Sequence, residues 1–328
     1  MQKAPDPYNA FIFVLLGTAV IIGSLAITTA LAARNGDSSN EESTGCLSAV
    51  SSGTHNGIIS SGGNDYELEW FVPSSHDADP LPLVLSFHGL SVTGNQFAAF
   101  TEILSLAETE SFIVAHPTGL AVSDTDSRPS WEVGGFERGE RNDVAMVDDL
   151  IDQMADTTCV DRSRVYVMGM SNGGLFVGEL VCELSDRIAG AASVAGTAFP
   201  DDCAPSRPVP YIAFHGLADN ILPWSAEREA VLAGAPEFVD TFDRPIPDEF
   251  IEFTDEFQCN EIVEDQPSEL IIRTTYAVCG EATLEFYAIG NGGHSWPGSP
   301  SSAISASLGE TNMDINATQL IWQFFDSQ

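Results

Sequence analysis

The order of apolar and polar positions divides the chain into elements. From Tyr66 to Val72 apolar and polar residues alternate, the pattern of a half-buried strand, expected to be antiparallel. Leu81–Phe87 is a continuous apolar run after prolines, as expected of a strand covered on both faces. Phe97–Thr109 has helical spacing, Phe112–Ala115 reads as a short buried strand, and Asp143–Thr157 is again helical. A strand then runs from Arg164 towards Ser171, followed by a helix to about Leu184. Ala191–Val194 and Tyr211–Phe214 are further buried strands, Glu269–Tyr276 and Thr283–Ile289 are late strands, and Asn316–Phe325 is a closing helix. Strands alternating with helices in this way predict an α/β fold: one domain with a mostly parallel central sheet and helices on both faces. In such sheets ligands bind beyond the carboxyl ends of the strands, so reacting residues should directly follow apolar runs. Between Glu227 and Asp255 an acidic, proline-bearing segment breaks the alternation. Pro247 could start a helix there whose Phe250, Phe253 and Phe257 share a face, either packing on the core or acting as a lid.

One junction carries chemistry. Arg164-Val-Tyr-Val-Met-Gly169-Met-Ser171-Asn-Gly173-Gly174-Leu-Phe176 reads as strand, sharp Gly-x-Ser-x-Gly turn and helix start. A serine raised on such a turn sits in strained backbone, and side chains at the flanking glycines would collide with neighbouring elements. A serine hydroxyl is a poor nucleophile until a base takes its proton, and that base needs an orienting acid. On an elbow of the α/β-hydrolase kind the chain order is Ser, Asp or Glu, then His. His294 is the only histidine beyond Asp219, in a glycine-rich loop directly after a strand, and is the expected base. Asp219 leaves the Tyr211–Phe214 strand and is the expected acid; Asp240, Asp243 and Asp248 fall in the acidic segment, where a charge is most simply a solvated group. Oxyanion donors are expected from the N–H groups of Asn172, the residue after the serine, and Leu90, in the loop after Phe87. His88, beside that loop, reads as a hydrogen-bonded scaffold bordering the substrate region, and His215 reads likewise. Trp131, Trp224 and Trp296 are candidate aromatic walls for substrate. His55, His76 and His116 lack metal-ligand spacing, and neither a metal nor a cofactor is expected.

Composition narrows the partners. The 328 residues include 48 acidic and 12 basic ones, a net charge of -36, which repels nucleic acid and anionic membrane surfaces. Residues 1–34 read as a signal peptide or N-terminal membrane anchor: Ala10–Ala33 is uncharged and long enough to span a bilayer, so a membrane tether through residues 10–33 is one outcome and cleavage the other. Residues 35–48 read as a polar linker and 49–328 as the catalytic domain. The cysteines, six in all and none in a Cys-x-x-Cys, suit disulfides in an exported chain. The expected pairs are Cys259–Cys279, Cys182–Cys203 and, by remainder, Cys46–Cys159. Asn316-Ala-Thr318 is a glycosylation sequon inside an expected helix.

His88-Gly89, Trp131, Asn142-Asp143-Val, the Ser171 elbow, His215-Gly-Leu-Ala-Asp219, Gly293-His294-Ser-Trp-Pro-Gly298 and Ile321-Trp-Gln-Phe-Phe325 together resemble the polyhydroxybutyrate depolymerase/feruloyl esterase group. These are secreted α/β-hydrolases that also include acetyl xylan esterases. The resemblance runs from about Asp65 to Phe325, and Gly293–Gly298 is its most specific part. It implies Ser171 as nucleophile, Asp219 as acid and His294 as base. The chain departs from the group at Asn142, where a second aspartate is common, at Leu90, where cysteine is frequent, and in a longer segment after Trp224. The expected function is a secreted serine carboxylesterase acting on ester bonds in or on extracellular polymers: polyester, or feruloyl and acetyl esters of plant polysaccharide. The alternatives are a serine peptidase of the same fold and an inactive, membrane-tethered binding module.

Lysine is limited to Lys3, and an acid-rich, lysine-poor surface is what a protein working in high salt would carry; a merely acidic exported protein is the competing reading. The two are separated by circular dichroism. Unfolding in salt-free buffer with recovery in molar salt marks salt adaptation, and an unchanged spectrum marks its absence.

Overall fold

The computed structural model describes residues 50–76, 79–133, 141–224, 250–254, 259, 261–279, 282–300 and 308–328. Six strands form a parallel centre in the order β4 (Ile113–Pro117), β3 (Leu81–Phe87), β7 (Val160–Met170), β8 (Gly190–Val194), β9 (Tyr211–Gly216), β12 (Ala282–Ile289). Antiparallel strands extend both sides. β2 (Asn64–Val72) pairs with β4 and with β1 (Gly53–Ser61), while β11 (Ile271–Cys279) pairs with β12 and with β10 (Glu261–Ser268). The result is one ten-stranded sheet. A separate hairpin joins β5 (Leu120–Ser123) to β6 (Asp126–Ser130), its turn held by Asp126 and Arg128.

Period-two alternation along the central strands explains the layers. Leu83, Leu85 and Phe87 of β3 and Val165 and Val167 of β7 join one buried cluster; Val84, Tyr166, Met168 and Met170 join the other. The first is closed by α3 (Asp143–Thr158) through Met146, Leu150 and Met154, and by α4 (Asn172–Glu183) through Leu175, Phe176 and Leu180. The second is closed by α1 (Gly94–Thr101), α2 (Ile103–Glu110) and α5 (Ala317–Asp326), with Phe97, Ile103, Ile321 and Phe325 buried. Fully burying one such side chain is worth roughly 1.5–3 kcal/mol, so each helix is held by its apolar stripe more than by propensity. Helices cover both faces, as expected.

Some expectations shift. The helix expected over Phe97–Thr109 is two helices, broken at Glu102, which takes a left-handed backbone with φ 56. On one continuous helix Ile103 would lie about 120° round from Phe97; the break turns both into the same cluster. β1 and β10 were not foreseen, since both are mostly exposed and lack an apolar face. Residues 1–49, with the proposed signal or anchor and the whole linker, lie outside the described residues, as do 225–249 and 255–258, which take in most of the acidic segment. Its helical piece at 250–254 buries Phe250 and Phe253 on the core, with Phe253 stacked on Phe199 at 3.8 Å. Asn316 caps α5, its side-chain oxygen accepting from the Gln319 N–H at 3.0 Å.

Of the expected disulfides, Cys182–Cys203 is formed, tying α4 to the loop before β9. Cys159 and Cys259 are also disulfide-bonded, to partners outside the described side chains. Cationic charge is absorbed by aspartates. Arg128, Arg141, Arg162, Arg164, Arg187 and Arg273 each pair with at least one, which leaves the remaining carboxylates in excess.

His88, directly after β3, fixes where that strand ends. Its Nε2 accepts the Gly119 N–H at 2.9 Å, so the proton lies on Nδ1, which donates to the Gly89 carbonyl at 2.8 Å. Burial pushes the imidazole down to about 4, against a weaker upward pull from the Gly89 hydrogen bond. A buried neutral histidine contributes stability that is complete above its unfolded value near 6.5 and is lost as pH falls through 4. The window is worth about 3 kcal/mol. Urea midpoints measured at pH 7 and pH 4.5 should therefore fall further apart in the native protein than in His88→Gln; equal drops in both would show that His88 is not the source.

Candidate active site

Ser171, Asp219 and His294 each follow a central strand, and the parallel sheet brings their side chains to one edge. Ser171 is the N-cap of α4, with φ 55 and ψ -124, a conformation that few non-glycine residues adopt. Its N–H donates to the Val194 carbonyl at 2.9 Å and its carbonyl accepts from Leu175 N–H at 2.9 Å. The turn needs glycine at two points of close approach. A Cβ at Gly169 would lie 2.2 Å from the Gly173 carbonyl oxygen, and one at Gly173 would lie 2.1 Å from that of Phe87.

His294 lies in the loop after β12. The Gly293 N–H donates to Glu310 O at 2.8 Å and the His294 N–H to Leu308 O at 2.6 Å, so the segment at 308–310 holds the loop on both sides of the ring. His294 Nε2 is 2.8 Å from Ser171 Oγ, and its Nδ1 is 2.8 Å from Asp219 Oδ2. Asp219 is buried, and Oδ1 accepts the N–H groups of Ile221 and Leu222, each at 2.8 Å. Burial alone would raise its carboxyl. The hydrogen bond and charge of His294, with His215 and the Leu222 N–H, outweigh that and hold it below the usual carboxylate range. Asp219 therefore stays ionised, able to hold His294 in one tautomer with its proton on Nδ1 and its Nε2 lone pair towards the serine. A hydroxyl on such an imidazole can give up its proton and attack an electrophilic carbon.

The expected oxyanion donors lie beside it. Asn172 is the first residue of α4, where no intrahelical carbonyl lies one turn back to accept its N–H. The Gly89–Leu90 turn passes the serine so closely that a Cβ at Gly89 would sit 3.3 Å from Ser171 Cβ. Ser91 and Val92 donate to Pro129 and Gly89 carbonyls, while the Leu90 N–H has no hydrogen bond among the described residues.

The aromatic walls fare differently. Trp131 and Trp296 are fully buried: Trp131 packs on Phe87 and Phe176, and Trp296 packs on Phe97 with its Nε1 donating to Thr318 at 2.9 Å. Their expected substrate role is corrected to packing, because neither indole has a free face. Trp224 is half-buried against Phe286, near His215. His88 is buried under the loop and reaches the site only through Gly89 and Trp131. His215 donates from Nε2 to the Leu222 carbonyl at 2.8 Å, supporting the Asp219 loop. Among the described residues no group of three or more His, Cys, Asp or Glu is placed to hold a metal ion. A buried trio was not foreseen: Arg141 pairs with Asp143, and Tyr66 donates to Asp143 Oδ1 at 2.8 Å. In the sequence only the Asn142-Asp143 motif hinted at it.

The chain matches a model of the phospholipase/carboxylesterase family over residues 71–233, which takes in Ser171 and Asp219. It is 31% identical over 167 residues to a bifunctional acetylxylan esterase/xylanase of Neocallimastix patriciarum, covering 48% of this chain and 23% of that one. It is 28% identical over 170 residues to feruloyl esterase B of Piromyces equi, covering 50% and 31%. To poly(3-hydroxyalkanoate) depolymerase C of Paucimonas lemoignei it is 32% identical over 148 residues, covering 44% and 34%. The chain thus spans about a third or less of the length of these relatives. The parallel sheet with a serine at its strand–helix turn is an α/β-hydrolase fold, and over residues 71–233 the chain is similar to the phospholipase/carboxylesterase family.

Proposed function

We propose that the protein is an exported serine carboxylesterase that cleaves ester bonds in or on extracellular polymers through a covalent acyl-enzyme. The observation that carries this reading is the single bridge made by His294, 2.8 Å from Ser171 Oγ on one side and 2.8 Å from Asp219 on the other. Ser171 Oγ attacks the ester carbonyl as His294 Nε2 takes its proton. The oxyanion that forms is stabilised by the N–H groups of Asn172 and Leu90, each such donor being worth about 3–4 kcal/mol of barrier. Collapse expels the alcohol with the proton held on His294. Water activated by the same imidazole then attacks the acyl carbon and releases the acid and the serine. Asp219 stays a carboxylate throughout and stabilises the imidazolium. The cycle uses these side chains and water alone.

The substrate class rests on the named relatives, which point to acetylated and feruloylated polysaccharide and to hydroxyalkanoate polyester. Export rests on the uncharged run at residues 10–33 and on the disulfide.

A fluorophosphonate probe should label the wild-type protein and fail to label Ser171→Ala; folded wild type that takes up no label would overturn the enzyme assignment. Esterase kcat should fall by about 10⁶-fold in Ser171→Ala and about 10⁴-fold in Asp219→Asn. A panel of p-nitrophenyl esters of rising chain length, methyl ferulate and a hydroxybutyrate oligomer assigns the acyl group. Preference for the last two over short aliphatic esters is the expected result.

A further inference from the structure

We infer that Trp131 is a positioning residue that locks the two oxyanion donors to each other, an inference that rests on the ester-hydrolase reading above. The donors come from separate parts of the chain, Leu90 from the turn after β3 and Asn172 from the start of α4. Trp131, from a third segment after β6, is bonded to Asn172 and to the turn that carries Leu90, there through the carbonyl of His88. Its backbone N–H donates to Asn172 Oδ1 at 2.7 Å, and its carbonyl accepts from Asn172 Nδ2 at 3.1 Å. A backbone N–H can only donate and a carbonyl can only accept, so the orientation of the Asn172 amide is dictated. The indole Nε1 donates to the His88 carbonyl at 3.0 Å, two residues before Leu90.

The clamp is itself anchored. Phe176 stacks on the indole at 5.2 Å and 5° between planes, while Phe87 meets it edge-on at 5.2 Å, so the ring cannot turn without breaking the core. On one side of Trp131 the Ser130 carbonyl accepts from Arg141; on the other the Glu132 N–H donates to Asp143 Oδ2 at 2.7 Å. The buried Arg141–Asp143 pair thus grips the backbone on both sides of the tryptophan. Its geometry passes through Trp131 to the N–H groups flanking Ser171. This gives a task to a buried ion pair that touches no substrate.

Oxyanion stabilisation depends on donors fixed before the charge develops, and misplacement by about 1 Å can cost on the order of a hundredfold in rate. Two variants remove the clamp from opposite sides. Trp131→Phe keeps a ring on Phe176 and loses the bond to His88; Asn172→Ala keeps its own N–H and loses both bonds to Trp131. Each is expected to lower kcat for a p-nitrophenyl ester by about ten- to a hundredfold with KM little changed. Active-site titration corrects for any unfolded fraction. The inhibition constant of an aryl trifluoromethyl ketone, whose serine adduct places an oxyanion between the donors, should rise by the factor by which kcat/KM falls. A packing role alone would lower the melting temperature and leave that constant unchanged, and such a result overturns the inference. If Trp131→Phe does not fold, Asn172→Ala carries the test, since it leaves the aromatic stack intact. Wild type that neither hydrolyses the ester nor takes up a fluorophosphonate defeats the underlying reading. Active wild type matched by both variants defeats only the clamp.

Discussion

The backbone of Ser171 is the constraint on which the site depends. A non-glycine residue held at positive φ costs on the order of 1–3 kcal/mol, so the fold must hold it there from several directions. One restraint is the sheet, where the Val194 carbonyl of β8 takes the Ser171 N–H. Another is the helix, where the Leu175 N–H donates to the Ser171 carbonyl and starts α4. A third is the near-contact of backbone at Gly169, Gly173 and Gly196, where a Cβ would lie 2.1 to 2.2 Å from a carbonyl oxygen. Relaxing the serine would mean moving strands β3, β7 and β8 together. The strain therefore persists, and it keeps the hydroxyl raised off the sheet edge.

The electrostatics follow the same logic of over-determination. Asp219 is buried, a situation that would favour its neutral form, yet His294, with His215 and the Leu222 N–H, reverses the balance. The same loop carries His215, which ties its far side through the Leu222 carbonyl. Histidines in this chain thus divide by partner. His88 is hydrogen-bonded to backbone groups at both ring nitrogens and burial pushes it towards its neutral form; His294 lies between a carboxylate and a hydroxyl. Residue type alone could not have separated them; their partners do.

Much of this was readable in the chain, for identifiable reasons. Leu81–Phe87 and Val165–Met168 sit in the middle of the sheet, where burial on both faces demands unbroken apolar sequence, and there the reading is clear. β1 and β10 owe their form to a neighbour's hydrogen bonds, which leave no mark on composition. The break at Glu102 depends on how Ile103 meets a core contributed by distant strands, and local spacing does not record that. Ser171, Asp219 and His294 could be singled out because chain order and strand ends limit the choices. The tryptophans misled because proximity in sequence to a reacting residue does not say which way a ring points. Trp131 and Trp296 turn inward, each with its indole N–H on a buried acceptor.

The arginine–aspartate pairing also has a chemical consequence. Beyond Lys3 the chain carries no side-chain amine, and its described cations are guanidinium groups held on aspartates or carbonyl oxygens. Guanidinium stays protonated and is a poor nucleophile, unlike the ε-amine of lysine. In the proposed acyl-enzyme cycle, acyl groups would therefore meet no lysine side chain in the domain that holds Ser171. Amine-directed coupling to a support, a dye or a crosslinker would find no lysine anywhere in the domain that holds Ser171, leaving that surface unmodified.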